Sequence, residues 1–226
     1  MKKPIVISDP FPRTLNLIFT KKKLGELKTK YKVLIAPNKN KKKFYEDHIE
    51  KVTFIMGQPD LDRNLLSKAK KLKAIINVES NFMNNVDYSY CDKKGIHVIA
   101  TSPVFSKPVA EIALGMTISL LRNIHNAHFD FLKKREKYGL ESNLKASMLT
   151  GKKIGLLGFG DIAKSLYPML LPFTKDINVY DPWLSKKMIK SYGFNPVNLN
   201  QMFKSCEIIY VLAAVTTKNK NLVDKK

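Results

Sequence analysis

The sequence predicts an α/β protein in which parallel strands are joined by crossover helices, arranged as two successive units. Three observations carry this. Short β-branched runs alternate with helix-length segments through most of the 226 residues. Runs such as IINV and IHVI are apolar at consecutive positions, as strands buried on both faces are. The alternation is interrupted by one long helical segment and then resumes, which divides the chain into residues 1–104 and 105–226.

In the first unit, strands are expected at 4–8 (PIVIS), 32–36 (KVLIA), 52–56 (VTFIM), 73–78 (KAIINV) and 96–100 (IHVIA). Helical spacing is expected over 15–30, 43–51 and 62–71. From Pro108 onward, Val109, Ile112, Ala113, Met116, Leu120 and Ile124 recur at helical spacing over about four turns. Pro108 itself suits the first turn of that helix. Residues 133–145 are polar and charged and predict a surface segment. The second alternation comprises strands at 153–157, 177–180 and 207–213 and helices at 161–171, 184–192 and 199–205.

Composition narrows the class. The apolar fraction is 44% and the charged fraction 26%, close to a globular average. No continuous apolar run approaches the roughly 18 residues of a membrane span; the best, 112–121, is flanked by Glu111 and Arg122. The N-terminus meets Asp9 and two prolines before any signal-like apolar stretch forms. A soluble, cytoplasmic protein without a membrane partner is therefore expected. Cys91 and Cys206 form no CxxC pair, so neither a disulfide framework nor a zinc cluster is expected. Forty Lys+Arg against nineteen Asp+Glu give a net charge of +21. Only Arg13, Arg63, Arg122 and Arg135 are arginine, and the lysines are spread over every segment without interleaved aromatics. That pattern does not predict a specific nucleic-acid partner, since base readout favours arginine. Diffuse basicity does suit anionic small molecules.

The chemistry concentrates at KKIGLLGFGDIAKSL. Gly158, Phe159, Gly160, Asp161, Ile162 and Ala163 form a GxGxxA fingerprint after a strand and before a helix. Gly158 permits the tight turn, Gly160 lets a pyrophosphate approach the backbone, and Ala163 allows close helix–strand packing. The helix N-terminus then offers N–H groups to phosphate. Asp161 is expected to cap that helix. Asp181, at the end of the next strand, is placed to bond both ribose hydroxyls of NAD and to repel the 2′-phosphate of NADP.

Together with these motifs, NNVDYSYCDKKGIHV (84–98), VAEIALGMTISLLRNI (109–124), VYDPW (179–183) and IIYVLAAVTTKNKNLV (208–223) resemble the D-isomer-specific 2-hydroxyacid dehydrogenases, in family order and spacing. The resemblance covers residues 73–226 well and 1–72 only through the βα alternation. It implies a flavodoxin-like substrate-binding domain and an incomplete Rossmann NAD-binding domain beginning with the interdomain helix. It implies NAD across Gly158 to Ile162, with Val215 and Thr216 on the nicotinamide side. The substrate, a 2-hydroxy or 2-oxo acid, has its carboxylate held by backbone amides of a loop that here contains Glu79, Ser80 and Asn81. A homodimer through the interdomain helix is a further implication.

The sequence departs from the family in two places. Ser80 and Phe82 stand where glycines are common; Phe82 narrows the pocket, and Glu79 repels an acid if turned inward. The family's substrate-orienting arginine, acid/base histidine and assisting carboxylate are expected beyond Lys226. His48, His97, His125 and His128 match none of them, and no catalytic or metal-ligating residue is assigned. The chain therefore reads as a C-terminally truncated NAD-dependent 2-hydroxyacid dehydrogenase, inactive as this fragment. The alternatives are a non-catalytic NAD(H)-binding regulatory module and a basic nucleic-acid binder.

Overall fold

The computed structural model describes residues 3–79, 82–214, 219 and 221–223. It divides into two compact units, Met1–Ser102 and Pro103–Lys226.

The first unit runs β1 (Ile5–Asp9), α1 (Leu15–Ile18), α2 (Lys21–Lys30), β2 (Lys32–Ile35), α3 (Lys41–His48), a 3-10 turn (Ile49–Lys51), β3 (Val52–Gly57), α4 (Arg63–Lys68), β4 (Ala74–Asn77), α5 (Tyr88–Lys94) and β5 (His97–Ala100). The strands form one parallel sheet in the order β2-β1-β3-β4-β5, the flavodoxin-like order. Ile7, Ile55 and Ile75 bury one face of the sheet against Tyr45, Leu65, Leu66 and Cys91 from the helices. The strand order reverses between β1 and β3, which opens a crevice at their carboxyl ends.

Two elements differ from expectation. The helix expected over 15–30 is two helices, because Thr20 takes extended backbone and its hydroxyl accepts a hydrogen bond from Lys23 N, starting a second helix there. Helix α5 was not expected, because YSYCDKK carries no apolar periodicity. Asp87 accepts a bond from Tyr90 N at one end, and Gly95 ends the helix at φ +67°.

The second unit runs α6 (Ser102–Leu121), α7 (Ile124–Leu132), α8 (Gly139–Asn143), β6 (Ile154–Leu157), α9 (Asp161–Leu170), β7 (Ile177–Tyr180), α10 (Lys186–Ser191), β8 (Asn195–Pro196), α11 (Leu199–Ser205) and β9 (Ile208–Val211). The sheet is parallel in the order β8-β7-β6-β9, four strands of the Rossmann order. All four residues of β6 are buried, which makes it the spine of this unit. Gly155 is part of that spine because α11 lies close above it: a Cβ there would stand 2.8 Å from Met202 Cγ.

Helix α6 corrects the reading of Pro108, which lies inside the helix. The first-turn proline is Pro103. The earlier start yields a 20-residue helix with mean hydropathy 1.4, long and apolar enough by length and composition to cross a membrane. It also serves as a core helix: Ala110 is fully buried in the core of the second unit, and Ala113, Leu114 and Ile118 pack against that core. Residues 133–145 are exposed throughout, as their polarity predicts, and contain the short helix α8.

Candidate cofactor-binding site

In the second unit the strand order reverses between β6 and β9, and the glycine turn leaves β6 at that point. Gly158 has φ +92°, a left-handed conformation that favours glycine. A Cβ on it would lie 2.8 Å from Ala213 N and 2.9 Å from Ala213 Cα. Gly158 N donates to Tyr180 O at 2.8 Å, tying the turn to β7. Gly160 is different: a Cβ there would meet no protein atom within 4 Å.

Gly160 is the N-cap of α9 and, lacking a side chain, makes no side-chain cap hydrogen bond. Asp161 is thus not the expected cap but the first helical residue, where its charge suits the helix dipole. Ala163 is fully buried in the core, as the close approach of α9 to the sheet requires. Phe159 is buried beside Tyr167, Tyr192 and Phe194, with ring centroids 5.1–6.1 Å away, so the turn rests on an aromatic base. Ile162 is partly buried.

Asp181 follows β7 directly. Its Oδ2 accepts from Phe159 N at 2.8 Å and its Oδ1 from Trp183 N at 2.8 Å. The carboxylate therefore organises the turn as well as standing beside it, a bond the sequence spacing did not reveal. Each oxygen has a further lone pair for a ribose hydroxyl. Val215 and Thr216 lie outside the described residues.

The expected substrate loop leaves β4 in the first unit. Val78 O accepts from Thr101 Oγ1 at 3.0 Å. Glu79 is held by Arg13 through two hydrogen bonds, Nε to Oε1 at 2.8 Å and Nη2 to Oε2 at 3.3 Å. Its bond and its charge raise the guanidinium pKa further. Ser80 and Asn81 lie outside the described residues. Phe82 is exposed and meets Tyr88 edge-on, with centroids 5.9 Å apart. At the β1/β3 reversal, buried Asp9 accepts from Lys41 Nζ at 2.5 Å and from Tyr45 OH at 3.1 Å. Burial and the Asp9 charge push the Tyr45 hydroxyl pKa far up. A cavity of about 690 Å³ opens beside this cluster, lined also by Gln58, Asp60 and Arg63. Neither Arg13 nor Lys41 was singled out from sequence; each finds its acid through the fold, 66 and 32 residues away.

His48 closes α3 and bonds Phe44 O, His97 opens β5, and His125 and His128 lie on α7. Among the described residues, no group of three or more His, Cys, Asp or Glu side chains could hold a metal. Burial raises the thiol pKa of both cysteines.

With this geometry in place, comparison with known proteins is direct. Residues 114–226 match the model of the D-isomer specific 2-hydroxyacid dehydrogenase, NAD binding domain. The chain is 27% identical to a hydroxypyruvate reductase of Thermotoga maritima over 84% of its own length and 63% of the relative's. It is 27% identical to a D-3-phosphoglycerate dehydrogenase of Methanocaldococcus jannaschii over 77% of its own length and 33% of the relative's. A phosphoglycerate oxidoreductase structure from Rhizobium etli aligns with a TM-score of 0.77 at 37% identity, covering 92% of this chain and 65% of that one. The Rhodotorula graminis D-mandelate dehydrogenase shares the fold, with a TM-score of 0.81 at 16% identity, covering 98% of this chain and 69% of that one. The chain belongs to the D-isomer specific 2-hydroxyacid dehydrogenase family, and its second unit carries that family's NAD-binding domain. It spans about two thirds or less of the length of the curated relatives named here.

Proposed function

We propose that this chain binds NAD(H) at the Gly158–Gly160 turn, in preference to NADP(H), and a 2-hydroxy or 2-oxo acid at the loop after β4. It would do so in the service of hydride transfer between the two. The observation that carries the reading is the contrast between the glycines. Gly158 is enforced by protein atoms; Gly160 faces open space at the N-terminus of a ten-residue helix. A pyrophosphate fills such a space without steric conflict and is bonded by N–H groups of the first turn. Bound there, the nicotinamide supplies or accepts the hydride. Asp181 fixes the adenosine ribose, and the amides of the 79–82 loop orient the acid's carboxylate.

Trp183 is the sole tryptophan and sits two residues from Asp181. Quenching of its emission, with energy transfer to NADH, gives a direct titration of the site. Saturable binding of NADH, weaker for NADPH, is the expected result. No binding of either by folded protein would overturn the reading. A non-catalytic NAD(H)-binding module is the alternative; NADH oxidation assayed across a panel of 2-oxo acids separates the two.

The partner reading is a second copy of this chain on α6. Ile112, Met116 and Leu120 recur every four residues along one face and are 60–64% exposed. Such a stripe suits an isologous helix contact. Light scattering should show a dimer that Met116→Glu dissociates; a wild-type monomer at every concentration contradicts it.

A further inference from the structure

One buried group on β1 has no part in the cofactor site and lacks a partner. Side chains alternate along the strand. Ile7 enters the core with Tyr45 and Leu65, and Asp9 reaches Lys41 and Tyr45, so both face α3. Ser8 lies between them and points to the opposite face of the sheet, the side of α1 and α2. It is fully buried, and its Oγ has no hydrogen-bond partner among the described residues. A hydroxyl withdrawn from water without a partner costs free energy, and native proteins nearly always satisfy one.

Ser8 lines a cleft of about 640 Å³, a volume within the range of small-molecule sites. The walls are apolar: Phe11 after β1, Leu15 on α1, Leu24 on α2, Ile35 at the end of β2 and Pro37 just beyond it. Thr14, Asn16, Lys28 and Asn38 also line the cleft but are exposed, so they form its solvated rim. The two charged lining residues that are not exposed are already paired, Asp9 with Lys41 and Arg13 with Glu79. A charged ligand reaching the floor would therefore lose its water for one hydroxyl bond and no unpaired counter-ion. A neutral ligand with a single polar group satisfies Ser8 and buries a flat apolar body between the walls.

We propose that this cleft is a binding site for a small uncharged ring compound bearing one hydroxyl, the phenol class, with that hydroxyl bonded to Ser8 Oγ and the ring held between the apolar walls. A serine hydroxyl both donates and accepts, so it pairs with a phenolic hydroxyl in either sense. Every residue involved belongs to the first unit, and none belongs to the Gly158–Gly160 turn.

The test titrates phenol itself calorimetrically into the whole chain near neutral pH, where a phenolic hydroxyl is un-ionised. Wild type should bind one phenol saturably. Ser8→Ala should weaken phenol about tenfold and leave toluene, of the same shape without the hydroxyl, unaffected. Ile35 is 68% exposed at the mouth of the cleft, so Ile35→Trp should fold and should block both ligands. Benzoate should bind more weakly than phenol despite the positive charge of the chain, and NADH should not displace phenol. Urea unfolding should find Ser8→Ala at least as stable as wild type, because the lost hydroxyl had no protein partner. Absence of saturable phenol binding overturns the inference, as does unchanged phenol affinity in Ser8→Ala. Binding that survives Ile35→Trp, or that NADH competes away, places phenol elsewhere and overturns it too. Benzoate bound as tightly as phenol would make this an anion site, and marked destabilisation of Ser8→Ala would give the hydroxyl a structural role; either result sinks the assignment.

Discussion

Two glycines in one motif serve different masters. At Gly158, φ is +92° and Ala213 N stands 2.8 Å from where a Cβ would be. Gly158→Ala should therefore cost about 2–3 kcal/mol of stability, through backbone strain and displacement of the segment after β9. Gly160→Ala meets no protein atom and should cost about 1 kcal/mol or less, the usual preference at an N-cap. It should nevertheless weaken NADH at least tenfold, because the methyl group occupies the space assigned to pyrophosphate. Urea unfolding read beside NADH titration separates the two; equal NADH affinity in wild type and Gly160→Ala would falsify that assignment. Asp181 calls for a paired substitution, because it bonds Phe159 N as well as having the proposed ribose role. Asp181→Asn can keep an acceptor for that N–H while losing the charge. It should weaken NADH about tenfold and narrow the gap to NADPH, whereas Asp181→Ala should also loosen the turn. The fingerprint and Asp181 could be picked out in the sequence because local spacing sets them. The Arg13–Glu79 pair could not: tertiary pairing joins residues that neither periodicity nor motif spacing relates.

Strands were easier to read than helices because buried parallel strands are apolar on both faces. The runs at 4–8, 52–56 and 177–180 lie within a residue of β1, β3 and β7. Helices were misjudged where caps rather than apolar periodicity set the boundaries. Thr20 divides one helix into two, and Asp87 and Gly95 bracket another that has no apolar stripe. Pro108 misled because a proline signal fits either the start or the interior of a helix, and Pro103 already occupies the start. At this scale β9 carries the clearest consequence. Among the described residues it pairs only with β6, and Val211 at its end is 56% exposed. An apolar edge strand is a template for pairing with another chain. Concentration-dependent aggregates larger than a dimer are expected by light scattering. Val211→Lys should reduce them while leaving any α6-mediated dimer in place; unchanged aggregation in that variant would place the sticky surface elsewhere.

Charge is a property of the whole molecule here. Nineteen acids cannot neutralise forty basic side chains, and several of the ion pairs that do form, such as Lys70–Glu50 and Lys137–Glu141, are largely exposed. Exposed pairs of this kind contribute little to stability. The excess of +21 therefore acts as a diffuse field rather than as a set of local contacts. Such a field attracts polyanions and anionic small molecules alike, and it carries no sequence information, because phosphate contacts by lysine read no bases. Duplex DNA should bind at low salt with equal affinity for random and defined sequences. If six or more phosphates are contacted, affinity should fall about a thousandfold or more between about 50 and 200 mM salt. NADH binding at the glycine turn should fall far less over the same range, because in the proposed site backbone N–H groups and a single carboxylate would hold that ligand in one place. Measuring both in parallel separates field from site. Salt-resistant DNA binding, or a clear sequence preference, would show that some of these lysines form a true nucleic-acid surface, and the charge would then need a local rather than a global explanation.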